Sequence, residues 1–163
     1  MAGNRSKGPP SVLFTGQAEA TIDGKSRLAI PAKFRARWDK DTAGLTWCCV
    51  PWTQTSSLRL YPLPTFEELS RGGRTAPSLT PDEDRAALDL IIHAATEQVD
   101  IDANNRIRLA SWQVAQLGLP TEVVVLGAGD HLEIRSRESW QGEFKDRLAA
   151  MASLADRLGR TQA

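Results

Sequence analysis

Short apolar runs recur along the chain between turn-forming residues, a spacing of half-buried β-strands rather than of long continuous helices. From Phe14 to Ile22 the positions alternate loosely, and Asp23-Gly24 then supplies a strong hairpin turn. The chain is expected to double back there, with Arg27 to Ile30 as the second arm and Leu28 and Ile30 sharing one face. Pro31 suits the first turn of a short helix reaching Trp38, and Thr46 to Val50 and Ser57 to Tyr61 read as two further strands. Gln98 to Ile101, Arg106 to Leu109 and the apolar run Val123 to Leu126 repeat the scheme, with Ser111 placed to cap a short helix between the last two.

Two longer helices carry their own start signals. Thr80 as N-cap, Pro81, and the acidic Asp82, Glu83 and Asp84 open one, which continues with the apolar stripe Leu88, Ile91, Ile92 and Ala95. The other follows Ser136 and runs to about Leu158, with Trp140, Phe144, Leu148, Met151, Ala155 and Leu158 on one side. Both stripes are expected to pack on the chain's own strands, ahead of packing on a neighbouring subunit. The composition of Ser70 to Ser78 predicts a flexible connection, and Glu67-Glu68 reads as a solvated helix start.

The chain also repeats itself. Ile22-Asp-Gly-Lys-Ser-Arg-Leu-Ala-Ile30 aligns without gaps at an offset of 79 with Ile101-Asp-Ala-Asn-Asn-Arg-Ile-Arg-Leu109, and Ser57 to Tyr61 aligns with His131 to Arg135 at an offset of 74. Two duplicated halves follow from this, at about 13–70 and 93–136. A tail over 1–12, a linker and helix over 71–92 and a C-terminal helix and tail over 137–163 complete the predicted organisation.

Composition narrows the function. At 163 residues and 41% hydrophobic the chain can bury a sizeable core, and its longest apolar run, Leu148 to Ala152, is far below the roughly 20 residues that cross a bilayer. The opening MAGNRSKGPPS has no apolar signal stretch, so the chain is expected to stay in the cytoplasm. Adjacent Cys48 and Cys49, far from His93 and His131, lack metal-ligand spacing, and no nucleophile stands beside a base in a recognisable motif. No catalytic residue, cofactor or metal is therefore assigned. The formal net charge of zero hides an asymmetry: residues 1–40 hold eight basic and three acidic residues, a net of +5. A positive segment on an acidic body suits a polyanionic partner.

The duplicated Asp-x-x-x-Arg offers matching chemistry. An Asp opening a turn accepts backbone N–H groups ahead of it, and an Arg four residues later can pair with it. A guanidinium so held loses less entropy on meeting a guanine edge or a phosphate. Gly24-Lys25-Ser26 adds a cation and a hydroxyl in the first loop, whereas Ala103-Asn104-Asn105 is uncharged but rich in amide donors.

Phe14-Thr-Gly16, Asp23-Gly-Lys-Ser-Arg-Leu-Ala-Ile-Pro31 with Phe34-Arg35, and Leu58-Arg-Leu-Tyr-Pro62 closely resemble the MraZ family, and Asp102 through Arg106 to Glu133 resembles its second repeat. The likeness spans about residues 13–145. It implies an α+β fold of tandem AbrB-like swapped-hairpin β-barrel units with flanking helices, assembled as a ring-shaped homo-oligomer. It further implies a nucleoid-associated bacterial transcriptional regulator, mainly a repressor. Such a protein binds direct G-rich repeats in double-stranded DNA upstream of the division and cell-wall gene cluster.

The family's Asp-x-x-x-Arg falls on Asp23 and Arg27, and again on Asp102 and Arg106. The expected DNA-contacting set is Asp23, Lys25, Ser26, Arg27 and Arg35 with Asp102, Asn104 and Arg106, where Lys25 and Arg35 favour phosphates and Arg27 reaches a base edge. The family usually has Gly before the Arg; here Ser26 and Asn105 stand there, and because Asn tolerates positive φ better than Ser the first loop is expected to differ in shape. Ala110 in place of Pro, and Trp112-Gln113, point to a second loop that is more structural than DNA-contacting. A protein-binding, antitoxin-like adaptor working through the C-terminal helix is the competing reading.

Overall fold

The computed structural model describes residues 12–72 and 82–161. Most of the expected tail, most of the Ser70 to Ser78 connection, and the Thr80-Pro81 helix start lie outside the described residues. The elements in order are β1 (Gln17–Thr21), β2 (Arg27–Ala29), α1 (Ala32–Arg35), α2 (Lys40–Ala43), β3 (Thr46–Trp52), β4 (Ser57–Pro62) and α3 (Leu63–Gly72). They continue as α4 (Glu83–Ala95), β5 (Glu97–Asp100), β6 (Arg106–Arg108), α5 (Ser111–Leu117), β7 (Glu122–Gly127), β8 (Leu132–Ser136) and α6 (Arg137–Thr161).

The fold is mixed α and β, with antiparallel strands, but the two halves do not fold side by side. One six-stranded sheet runs β1-β7-β8-β4-β3-β5, and β2 and β6 form a separate two-stranded ribbon. Strands of the two halves are interleaved in that sheet, the second-half pair β7-β8 lying between first-half strands β1 and β4, and the pairings among the described residues describe no closed barrel. The expected β1–β2 hairpin is replaced: β1 pairs along its length with β7, β2 pairs with β6, and the two arms share only the bridge Ile22↔Leu28. Asp23 to Arg27 forms a loop closed by the Asp23 N–H to the Arg27 carbonyl, with Ser26 at φ +59°, and beyond the Ile22↔Leu28 bridge the two arms part, each to pair with a strand of the other half.

Other boundaries shift for local reasons. The helix after Pro31 ends at Arg35, because Trp38 turns into the core with its ring 4.8 Å from that of Trp47, and Asp39 then caps α2 by accepting from the Asp41 N–H. Ser70, Arg71 and Gly72 are the last residues of α3 rather than part of a connection. Asp82 caps α4, accepting from the Asp84 and Arg85 N–H groups. Ser111 is the first residue of α5 and not its cap; Ala110 holds that place without a side-chain hydrogen bond.

The core lies between sheet and ribbon. Phe14 packs on Phe34 and Trp47 at ring distances of 6.2 and 6.0 Å, and Leu28, Ile107, Leu58, Leu60 and Ile134 are fully buried with them. Aromatic pairs at such distances add specific geometry to area burial. Gln113 is buried too; its amide donates to the carbonyls of Cys49 (3.0 Å) and Ala95 (2.8 Å), tying α5 to β3 and to the end of α4. Cys48 and Cys49 are buried free thiols, and burial pushes the Cys48 thiol up to about 11, away from the thiolate chemistry of a redox site.

The long helices depart from expectation. Trp140 and Phe144 sit against the body, with the Trp140 indole donating to Gln17 Oε1 at 2.7 Å, but every residue of α6 from Lys145 onward is exposed. Leu88 and Ile91 of α4 are exposed as well. No helix of the described residues is long and apolar enough to cross a membrane.

Candidate nucleic-acid interface

The two loops are built alike. In the first, Asp23 Oδ1 accepts the N–H groups of Lys25 and Arg27, both at 2.9 Å, and Oδ2 accepts Arg27 Nε at 2.8 Å. In the second, Asp102 Oδ1 accepts the N–H groups of Asn104 at 2.8 Å and Arg106 at 3.0 Å, while Arg106 Nε stands 3.5 Å from Oδ2. Backbone bonds close each loop at matching positions, Asp23 N–H to the Arg27 carbonyl and Asp102 N–H to the Arg106 carbonyl. The donors hold both carboxyls in their charged form: the Arg27 N–H and side chain, with the Lys25 N–H, bring Asp23 down to about 2, and the Arg106 and Asn104 N–H groups lower Asp102.

The expected difference in loop shape does not occur. Ser26 lies at φ +59° and Asn105 at φ +58°, so both occupy the left-handed region that a glycine would reach without strain. What holds them there is reciprocal: the Ser26 carbonyl accepts the Leu109 N–H at 2.7 Å, and the Asn105 carbonyl accepts the Ile30 N–H at 3.0 Å. Each half's loop is thus clasped by the residue just past the other half's ribbon strand.

The ribbon sets the charge. Leu28 and Ile107 are its buried faces, so alternation turns Arg27, Ala29, Arg106 and Arg108 outward. Arg27 pairs with Arg108 and Ala29 with Arg106. Like charges opposed across two strands are unfavourable unless an anion lies over them. Lys25, exposed at the first loop tip, has no side-chain partner among the described residues. Lys40, from the end of the basic segment, donates to Asn105 Oδ1 at 3.2 Å and so brings a first-half cation to the second loop. Arg35 is exposed on α1, its Nε donating to the Ile30 carbonyl at 2.9 Å. Asn104 is exposed at the tip of the second loop.

The structure thus places Asp23, Lys25, Ser26 and Arg27 at one end of the three-residue antiparallel ribbon and Asp102, Asn104 and Arg106 at the other, with Arg35 one helix away. Arg108 and Lys40 were missing from the sequence-derived set. Arg106-Ile107-Arg108 alternates outward, inward, outward, which could have flagged Arg108, but its partner across the ribbon comes from the other half. Among the described residues no three His, Cys, Asp or Glu side chains gather as a metal site.

Comparison with known proteins follows the same two halves. The family model described as MraZ protein matches residues 13–89 and 92–161. The transcriptional regulator MraZ of Sodalis glossinidius is 32% identical over 150 residues, covering 90% of this chain and 97% of that protein. Its namesakes in Mycobacterium ulcerans and Mycobacterium tuberculosis are 38% identical over 128 residues and 37% identical over 129. These alignments cover 78% and 79% of this chain, and 84% and 85% of the relatives. With both repeats matched and most of the length shared, the chain belongs to the MraZ family.

Proposed function

We propose that this chain is a sequence-specific DNA-binding transcriptional regulator that reads G-rich direct repeats in double-stranded DNA through its two Asp-x-x-x-Arg loops. The opposed positions of Arg27 and Arg108 carry this reading: the two arginines sit across from each other on the outer side of the ribbon between two carboxylate-braced loops, and Arg108, without an anionic partner among the described residues, is stabilised when a polyanion supplies one. Arg27 is oriented by Asp23 and suits the O6 and N7 acceptors of guanine, while Lys25, Arg35 and Arg108 suit phosphates. The names of the relatives support the regulatory role.

The repeats at 13–70 and 93–136 act as one swapped-hairpin unit whose ribbon presents the loops. One such unit makes few phosphate contacts, so a ring-shaped homo-oligomer addressing successive repeats supplies affinity through effective concentration. The regulator acts mainly as a repressor of the division and cell-wall gene cluster, in the cytoplasm at the nucleoid.

Electrophoretic mobility shift on the DNA upstream of the chain's own gene, with salt titrated, tests this. A log–log loss of affinity with salt, together with loss of specific binding in Arg27→Ala at unchanged assembly, is the expected result. Unchanged operator affinity in Arg27→Ala would refute the assignment.

A further inference from the structure

Strand β4 separates two faces of the sheet. Leu58 and Leu60 turn into the core beneath the ribbon, so alternation sends Arg59 and Tyr61 to the opposite side, away from the ribbon and its loops. There α3 and α4 pack over β3 and β4 and leave a cavity of about 420 Å³, a size that suits a small ligand. Its walls are mostly ring faces and aliphatic chains, among them Trp52 of β3, Tyr61 of β4, Phe66 of α3 and Ile92 of α4. These walls are held by one another. Phe66 stands 6.1 Å from Tyr61 and 5.7 Å from His93, and Tyr61 stacks on His131 at 4.6 Å. His93 bridges the two helices, with Nδ1 2.7 Å from the Asp89 carbonyl and Nε2 3.2 Å from Ser70 Oγ.

One cation enters this apolar chamber. The Arg59 guanidinium lies over the Trp52 ring, 4.1 Å from its centroid, and beside the Tyr61 hydroxyl. Its Nε is buried with no hydrogen bond among the described residues and stands 3.5 Å from Glu133 Oε1. That oxygen is already divided, since Ser57 Oγ lies 3.1 Å from it and Arg135 Nη2 3.5 Å. The neighbouring carboxylate, Glu143, is taken by Arg135 at 3.1 Å and Arg147 at 3.0 Å. Three guanidiniums therefore share two carboxylates, and Arg59 holds the weakest share. Asp89 at the cavity rim is exposed and makes no ion pair with Arg59. A cation among apolar walls with so little compensation is stabilised by an anion from outside, and the planar guanidinium matches a carboxylate. The aromatic walls match a flat ring.

We propose that this cavity binds a small planar aromatic carboxylate, with its ring against Trp52, Tyr61 and Phe66 and its carboxylate on Arg59. The site lies across the sheet from the ribbon and needs none of the loop residues. Its occupancy is therefore independent of DNA binding, and the two assignments can fail separately.

Calorimetric titration of the full chain, without DNA, with naphthoate and with its uncharged amide, naphthamide, tests this. Naphthoate is expected to bind saturably, with a dissociation constant of about 1 mM or lower and about tenfold tighter than naphthamide. In methyl NMR spectra of the same titration the Val50 and Ile92 signals, which line the cavity, should move first. Arg59→Gln is expected to erase the preference for the charged probe. Should that variant misfold through Glu133, Leu90→Glu decides instead: Leu90 lines the cavity, is 70% exposed and takes no part in the arginine network. A glutamate there should weaken naphthoate several-fold and leave naphthamide unchanged. No saturable naphthoate binding, equal affinity for the two probes, or shifts confined to methyls outside the cavity would overturn the site. So would a preference that survives in folded Arg59→Gln, or naphthoate affinity unaltered in Leu90→Glu.

Discussion

Arg27 and Arg108 stand directly opposite one another in the two-stranded ribbon, one from each half of the chain, over the buried pair Leu28 and Ile107. Arg27 is restrained by Asp23, but Arg108 has no hydrogen bond or ion pair among the described residues. The ribbon therefore keeps a like-charge pair that folding alone does not favour.

Replacing Arg108 separates binding from folding. Removing one of two opposed like charges relieves about 0.2–1 kcal/mol, so Arg108→Ala is expected to melt no lower than the wild type. Its operator affinity should fall, and the slope of log affinity against log salt should become shallower by about 1 as one phosphate contact is lost. Thermal melts beside a salt-titrated mobility shift check both halves of the expectation.

The left-handed Ser26 stores strain that glycine would release. A non-glycine residue there costs about 1–2 kcal/mol, against which the extra chain entropy of glycine returns about 0.5–1. Ser26→Gly should be neutral to mildly stabilising. Ser26→Val, whose branched side chain tolerates this backbone poorly, should lower the melting temperature by several degrees. Calorimetry of the two variants under one buffer decides it, and a Ser26→Val protein as stable as the wild type would contradict the loop geometry.

Acid should loosen the first loop in a defined window. Asp23 is depressed from 3.8 to about 2, so its contribution to stability is complete above its unfolded pKa and disappears as pH falls through about 2. Asp23→Asn keeps an acceptor but loses the charge. The difference in melting temperature between wild type and Asp23→Asn should be widest at neutral pH, hold down to about 4, and close between about 4 and 2.

Gly127 is a packing requirement. A Cβ there would come within 2.5 Å of the Thr15 backbone nitrogen and 2.6 Å of the Phe14 carbonyl carbon. These atoms are fixed by the Gly127 N–H to the Gly16 carbonyl and by the paired bonds between Phe14 and Gly129. Gly127→Ala must part β7 from the segment leading into β1 and should destabilise by about 1–3 kcal/mol. Chemical denaturation gives the number, and a change below about 0.5 kcal/mol would show that the segment can move aside.

Much of this was readable from local pattern. The duplicated Asp-x-x-x-Arg loops, strands β1 to β7 and the helix after Ser136 follow from turn residues, alternation and spacing. Their signals act within a few residues of one another, as when Asp23 and Asp102 accept N–H groups two and four positions ahead. The missed pieces have the opposite character. Arg108 gains its meaning from Arg27, and Lys40 from Asn105, each a partner supplied by the other repeat.

The amino-acid order by itself determined that there are two equivalent loops, where their carboxylates and guanidiniums lie, and that both long helices are amphipathic. Only the tertiary structure decided that β1 joins β7 while β2 joins β6, so that the loops flank the two ends of one shared ribbon instead of closing separate hairpins. A turn residue acts on its nearest neighbours, whereas the choice between pairing within a half and pairing between halves depends on which arrangement buries Leu28, Ile107 and Phe14 in one core. That is a comparison of whole arrangements, and no local pattern contains it.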